Sequence, residues 1–260
     1  MSDLVKAVIL GLVQGVTEFL PVSSSGHLKA LEMVLGFDVA LSFDVALHVA
    51  TLAAVLVYFG RDLLRLLRSP DLWPVTLRVG IGTVPAVVIA MGFKEWRETI
   101  GPWFVVAGWC ASSAYLLLSA RREGPGEHRA LPLAKAFIIG GSQGLAALIP
   151  GFSRSGISIT SGLWLGLRRE EAFRFSFLLA IPVMFGAGLV HCPHLFDPAQ
   201  RAIPGGWIAL AAAMTAAFAV GLLAIHLLYQ AVTGSRFHQF GWYNLAAAAA
   251  FAIYLGTKTS

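Results

Sequence analysis

Long apolar segments alternate with short polar ones along almost the whole chain. The longest apolar segments cover residues 41–59, 72–92, 102–119, 172–190, 206–230 and 241–256. Each approaches the ~20 residues that a helix needs to cross the hydrocarbon core of a bilayer, and the weak ten-residue alternation of a membrane barrel does not recur. The pattern predicts six transmembrane helices.

Two further apolar segments are shorter and are broken by polar residues. Residues 4–20 and 26–36 flank a proline and a serine run, and residues 133–149 and 156–167 flank a second proline and two more serines. Pairs of short helices broken by Pro, Ser and Gly are typical of re-entrant hairpins. The predicted fold is therefore an all-α integral membrane protein with six transmembrane helices plus two re-entrant helical hairpins.

The two halves of the chain follow the same plan, one hairpin and then three transmembrane helices. The aligned positions, at an offset of 129 residues that slips by one within the serine run, are Gln14 with Gln143, Pro21 with Pro150, Ser24 with Ser153 and Gly26 with Gly156. An odd number of spans separates the hairpins, so the halves are expected to be inverted. We predict one membrane domain, residues 1–260, with an inverted-topology repeat of approximately 1–130 and 131–260. Such repeats place their binding site near the midplane, where the breaks meet.

Composition and charge support this interpretation. The chain is 57% hydrophobic and only 13% charged, whereas a soluble domain carries about 25% charged residues. The basic residues concentrate in loops 61–71 and 120–135, while loop 93–101 is balanced, which places the basic loops in the cytoplasm. The net charge of +5 follows this positive-inside pattern, so nucleic acid is not an expected partner.

The first hairpin carries polar residues that are costly at membrane depth. Gln14 and Glu18 are spaced i, i+4 and share a helix face. Glu18 is either a general base or a ligand of a divalent cation, with Gln14 beside it, or it is satisfied by the neighbouring serines. The run Ser23-Ser24-Ser25-Gly26 precedes the second hairpin helix, whose N-terminus offers free N–H groups to an anion.

Three residues are candidates for attack or proton transfer. Ser24 is either a capping residue or a nucleophile whose base is His27 or Glu18. His27 is either a core hydrogen-bonding residue or a catalytic one. His48 lies inside a predicted span and is a further candidate for the cavity wall.

The second hairpin supplies a positively charged side chain. Its break is Ser153-Arg154-Ser155-Gly156, and Arg154 lies in an apolar region without an acidic neighbour in sequence. A planar guanidinium binds phosphate oxygens bidentately and neutralises charge in phosphoryl transfer. The alternative is an ion pair with Glu18 across the repeat, which a substrate could break or bridge.

At these residues the chain resembles a known family. The stretch Glu18-Phe-Leu-Pro-Val-Ser-Ser-Ser-Gly-His27 is similar to the acidic motif of the bacterial undecaprenyl pyrophosphate phosphatases of the bacitracin-resistance type. Pro150-Gly-Phe-Ser-Arg-Ser-Gly156 is similar to their second motif. Gln14 stands where that family accepts Glu or Gln, and Ser25 and Ser158 stand where threonine is common.

The resemblance implies an activity and a set of roles. It implies hydrolysis of undecaprenyl diphosphate to undecaprenyl phosphate plus inorganic phosphate, which recycles the lipid carrier of cell-wall synthesis. It also implies a bacterial plasma-membrane location, an active site that faces the outside, and a divalent metal ion, Mg²⁺ or Ca²⁺. By position, Glu18 is the essential carboxylate, and Ser24 and His27 belong to the catalytic set. Arg154, with Ser153 and Ser155, belongs to the phosphate site.

Two other functions compete with this one. Type 2 phosphatidic acid phosphatases also contain a Ser-Gly-His, here Ser25-Gly26-His27, but they need a Lys-x6-Arg-Pro element that this sequence lacks. A transporter or flippase of polyprenyl phosphate lipids would use the same architecture and the same site. The expected partners are a polyprenyl diphosphate lipid and membrane lipid, and the sequence leaves a homodimer open.

Overall fold

The described part of the chain is helical almost throughout. The computed structural model describes residues 2–35, 41–93, 96, 99–119, 124–196 and 205–259. Its α-helices are α1 (Asp3–Phe19), α2 (Ser24–Leu35), α3 (Leu41–Tyr58), α4 (Gly60–Leu67), α5 (Leu72–Gly92), α6 (Trp103–Leu118), α7 (Leu133–Leu148), α8 (Arg154–Trp164), α9 (Arg169–Phe196), α10 (Gly206–Thr233) and α11 (Phe240–Thr259). Within these ranges the only β pairing is an isolated bridge between Gly126 and Leu167. The predicted all-α class is confirmed.

Several helices are long and apolar enough to cross a membrane. Among the described residues these are α5, α10 and the Arg169–Val190 part of α9. The bent pair α3–α4, with an angle of 62° between its helices, would be a fourth, and α6 and α7 are apolar but shorter. These helices form a membrane-embedded bundle, whereas the count of six spans stays a prediction.

The structure corrects three predicted boundaries. Helix α4 lies where a loop, 61–71, was expected, because its leucines and arginines alternate over only eight residues and produce no long apolar run. Helices α2 and α8 begin two residues earlier than predicted, at Ser24 and Arg154. Residues 94, 95, 97, 98 and 120–123, which carry part of the predicted charge difference between loops, lie outside the described residues.

Two close helix contacts form the frame of the bundle. Helix α1 packs along α10, and α7 packs along α5. A Cβ on Gly11 would lie 2.2 Å from the carbonyl oxygen of Ala213, and one on Gly140 would lie 1.7 Å from that of Gly82. Small residues let helix backbones approach closely in membranes, where packing rather than burial from water drives association. Gly11 and Gly140 occupy equivalent positions in the two halves.

The break that ends α1 lies level with the middle of α10. Phe19, the last residue of α1, packs against Gly221, about halfway along α10. Phe19 also joins an aromatic cluster with Phe59 and Phe177, whose ring centroids are 5.3 to 5.8 Å apart in the contacting pairs. This cluster fixes the end of α1 against α9 and against the bend between α3 and α4, and so fixes the position of Glu18, the preceding residue.

Candidate active site

The turns of the two hairpins lie against each other. A Cβ on Gly26, in the first turn of α2, would lie 2.9 Å from the Cα of Gly151, in the turn between α7 and α8. A Cβ on Gly156, in the first turn of α8, would lie 3.2 Å from the Cβ of Pro21. The two polar breaks that the sequence singled out therefore meet, as their spacing predicted.

The second helix of each hairpin begins with the same serine hydrogen bonds, although Ser23 has a φ of 69° and Ser153 a φ of −77°. The Oγ of Ser23 accepts a hydrogen bond from the N–H of Gly26 at 3.4 Å, and the Oγ of Ser153 accepts one from the N–H of Gly156 at 3.1 Å. Each capping hydroxyl also lies 3.2 Å from the hydroxyl two residues later, on Ser25 and Ser155. Ser23, rather than Ser24, is therefore the structural equivalent of Ser153.

This correction changes the pairing of two functional residues. The one-residue insertion lies between the proline and the first serine of the second hairpin, before the serines rather than among them. Ser24 and Arg154 then occupy the same position, the first residue of the second hairpin helix. Both side chains reach one carboxylate, that of Glu18.

Glu18 is the centre of the site. One of its oxygens, Oε1, accepts a hydrogen bond from the guanidinium of Arg154, with which it forms an ion pair. The other oxygen, Oε2, accepts hydrogen bonds from Ser24 Oγ at 2.6 Å and from Gln14 Nε2 at 3.0 Å. His48 approaches Oε2 as well, with its Nε2 at 3.7 Å. The Glu18 side chain is only 2% exposed, so its charge depends on these partners.

A pocket opens beside the ion pair. Its polar part is formed by Glu18, Arg154, Ser155, Gln143 and Ser176, and its apolar part by Phe19, Phe177, Ala180, Val183 and Met184. Apart from Phe19, which ends α1, the apolar residues follow α9 away from the hairpin turns towards its C-terminal half. A pocket with one ionic wall and one apolar wall suits an amphipathic anion.

His27 does not join this group. Its Nδ1 lies 2.9 Å from the main-chain oxygen of Ser23, and its Nε2 lies 2.7 Å from the hydroxyl of Tyr243. Its ring stacks on Tyr243 and meets Trp109 edge-on. No ion pair joins His27 to Glu18 among the described residues. The structure thus directs the side chain of this predicted catalytic residue towards Tyr243.

The sequence singled out neither of the residues that hold the two turns together. Asn244 is fully buried and donates from Nδ2 to the main-chain oxygen of Pro21 at 2.9 Å and to Ser112 Oγ at 3.3 Å. Ser112 Oγ also accepts a long hydrogen bond from the N–H of Ser153, at 3.4 Å. Polar residues inside otherwise apolar spans were the available signal.

The oxygen atoms around Glu18 supply part of a coordination shell for a divalent cation. Gln14 is fully buried, and its Oε1 has no hydrogen-bond partner among the residues that the structure describes. An unpaired amide oxygen beside a carboxylate is a suitable pair of ligands for a hard cation. Among the described residues no group of three or more His, Cys, Asp and Glu side chains could hold a metal ion. Any further ligands would therefore have to come from the substrate or from water.

Known proteins are similar to this chain over nearly its full length. The family profile described as bacitracin resistance protein BacA matches residues 7–250. The protein from Rubrobacter xylanophilus named undecaprenyl-diphosphatase is 41% identical over 98% of this chain and 99% of its own. The protein of the same name from Geobacter sulfurreducens is 39% identical over 97% and 98%. With both motifs inside the matched range, the chain belongs to the bacitracin resistance protein BacA family.

Proposed function

We propose that this protein is an undecaprenyl-diphosphatase, which hydrolyses undecaprenyl diphosphate to undecaprenyl phosphate plus inorganic phosphate. The observation that carries the proposal is the Arg154–Glu18 pair, an arginine and a carboxylate from opposite hairpins at the head of a half-apolar pocket. Relatives that match almost the whole chain carry the name undecaprenyl-diphosphatase. The reaction recycles the lipid carrier of peptidoglycan synthesis.

The diphosphate binds at the N-terminal ends of α2 and α8. Both ends present main-chain N–H groups, and Arg154 adds a full positive charge between them. When the guanidinium turns to the phosphate, the carboxylate of Glu18 loses its strongest partner and becomes free to accept a proton. Fixed donors aimed at the developing charge supply most of the rate enhancement in such sites.

Two routes of attack fit the geometry. Ser24 Oγ already donates a hydrogen bond to Glu18 Oε2, the relation of a nucleophile to its base. In this route Ser24 Oγ attacks the terminal phosphorus and its proton passes to Glu18. The lipid monophosphate leaves with the electron pair of the broken bond and takes that proton from Glu18, so that the carboxylate can act as a base again. In the other route Glu18 takes the proton from a water molecule that attacks directly. A phosphoenzyme on Ser24 would separate the two.

A divalent cation, Mg²⁺ or Ca²⁺, is proposed to enter with the substrate. Glu18 and the unpaired Oε1 of Gln14 are the protein ligands in this proposal. When bound, the cation neutralises charge on the diphosphate and lowers the barrier to attack at phosphorus.

The proposed architecture is six transmembrane helices plus two re-entrant hairpins in a single inverted-repeat domain. The symmetric contacts of α1 with α10 and of α7 with α5 support it, as does the position of the α1 break at the middle of α10. The first residues of α1, Asp3 and Leu4, lie beside Gly205, at the end of the bundle to which the apolar wall of the pocket leads. We assign this end to the outer face of the bacterial plasma membrane, opposite the basic loops.

Phosphate release from a polyprenyl diphosphate tests the function. The purified protein is expected to release inorganic phosphate, and Glu18→Gln is expected to abolish the release. In proteoliposomes, lipid translocation that survives Glu18→Gln would instead favour a transporter. A wild-type protein that releases no phosphate, with or without added Mg²⁺ or Ca²⁺, contradicts the proposal.

A further inference from the structure

His48 lies at the accessible edge of Glu18 and has no role in the reaction described so far. Its side chain is 31% exposed, against 2% for Glu18, and it belongs to α3 rather than to either hairpin. Its Nδ1 lies 2.9 Å from the main-chain oxygen of Asp44 and 3.6 Å from Asp44 Oδ1. A main-chain oxygen can only accept, so Nδ1 carries the hydrogen and Nε2 of the neutral ring presents its lone pair to the site.

The gap between His48 and Glu18 has a specific length. Nε2 lies 3.7 Å from Glu18 Oε2, beyond the ~3.2 Å limit of a direct N–H···O hydrogen bond. When the ring is neutral, both atoms are acceptors, so a group that joins them has to donate two hydrogen bonds. Water is such a group, and it commonly bridges polar atoms that are more than about 3.5 Å apart.

We propose that His48 is a positioning residue, whose Nε2 holds the attacking water together with Glu18 Oε2. The proposal rests on the diphosphatase function. The water oxygen bonds to phosphorus, its proton passes to Glu18, and the bond from phosphorus to the leaving oxygen breaks with its electron pair on that oxygen. The leaving oxygen belongs to the lipid monophosphate in direct attack and to Ser24 in a phosphoenzyme, and in both cases it takes the proton from Glu18, so both routes contain this step.

The other candidate histidine is not placed for this task. Both nitrogens of His27 are engaged, by the main-chain oxygen of Ser23 and by the hydroxyl of Tyr243. His48 has one engaged nitrogen and one that faces Glu18. Asp44, one helical turn before His48, fixes the tautomer that leaves this second nitrogen free to accept.

Three substitutions of His48 test the proposal in the purified full-length protein with undecaprenyl diphosphate. A glutamine places its amide oxygen near the position of Nε2, an asparagine reaches only that of Nδ1, and an alanine reaches neither. We expect His48→Gln to keep at least about a third of the wild-type kcat and both other variants to lose about 30-fold or more, with KM within about threefold, because positioning acts on the attack step. His226→Ala is the control, since His226 is exposed and hydrogen-bonded to Gln230.

Each other outcome overturns the proposal. Equal kcat for His48→Gln and His48→Asn shows that the Nε2 acceptor does not matter, and full kcat for His48→Ala shows that the residue does not matter. A rise in KM alone assigns His48 to substrate binding. The Gln and Asn variants differ by one methylene, so their comparison decides even where the alanine variant fails to fold. If the wild type itself releases no phosphate, the diphosphatase function fails first.

Discussion

Arg154 and Glu18 form an ion pair although 136 residues separate them in sequence. Arg154 is the first residue of α8, and Glu18 lies in the last turn of α1, so the pair connects the two hairpins. The carboxylate is 2% exposed and the guanidinium 29%. Glu18 therefore depends on Arg154 for its charge more than Arg154 depends on Glu18, and this asymmetry has measurable consequences.

Substitution of Arg154 is expected to cost both activity and stability. Arg154→Ala leaves a buried carboxylate without its cation, which costs about 3 kcal/mol of unfolding free energy. It also removes the phosphate-binding charge, so kcat should fall at least about 100-fold. The double variant Arg154→Ala/Glu18→Gln should recover part of the stability and none of the activity. Denaturation in detergent and phosphate release measure the two effects, and stability losses that simply add would contradict the pairing.

Substitution of Ser24 is expected to lower hydrolysis in either route of attack. Ser24→Ala removes a hydrogen bond of 2.6 Å to the carboxylate of Glu18. If Ser24 is the nucleophile, activity should fall by about 1,000-fold or more, and if it only orients Glu18, by about 10-fold. Ser119→Ala is the matched control, because it removes a buried hydroxyl whose hydrogen bond within the described part of the chain is to its own helix end, at Leu116. Unchanged kinetics for Ser24→Ala would remove Ser24 from the site.

Removal of divalent cations is expected to stop phosphate release, and Gln14 should set the concentration that restores it. Gln14→Leu deletes the unpaired Oε1 and leaves Glu18 as the only protein ligand. The Mg²⁺ or Ca²⁺ concentration for half-maximal rate should rise about 10-fold, within the range seen when groups that support a metal are lost. A titration of metal into the chelated protein measures it. A chelated wild type that keeps its full rate would contradict the metal proposal.

The sequence predicted the pair of breaks because its signal was local and repeated. Proline, serine and glycine interrupt apolar helices at two equivalent places, and inverted repeats bring such breaks together. The contact between Glu18 and Arg154 was predicted only as the alternative to a phosphate role for Arg154, and the structure shows that contact. Helix α4 was missed because eight amphipathic residues give no long apolar run.

The sequence could not show which of the two histidines, His27 or His48, faces Glu18. Helix α3 is apolar on nearly all sides, so its pattern does not show which face carries His48 towards Glu18. His27 follows Ser24 by three residues and looked equally close to the carboxylate. Its direction is decided by Tyr243, 216 residues away, on a helix whose packing no local pattern specifies.

Substitution of two neighbouring glycines on α7 tests the close contact between α5 and α7, which positions the second hairpin. Gly140 and Gly141 are neighbours in the middle of α7, so Gly→Ala raises helix propensity equally at both, by up to about 1 kcal/mol. A Cβ on Gly140 would lie 1.7 Å from the carbonyl oxygen of Gly82, whereas one on Gly141 would meet only Pro85 Cβ at 3.8 Å. Gly140→Ala should therefore destabilise the protein by about 2 kcal/mol or more, because α5 and α7 must separate, while Gly141→Ala should be neutral or stabilising. Thermal unfolding of both variants in the same detergent measures the difference, and equal midpoints would show that α5 and α7 do not touch at this level.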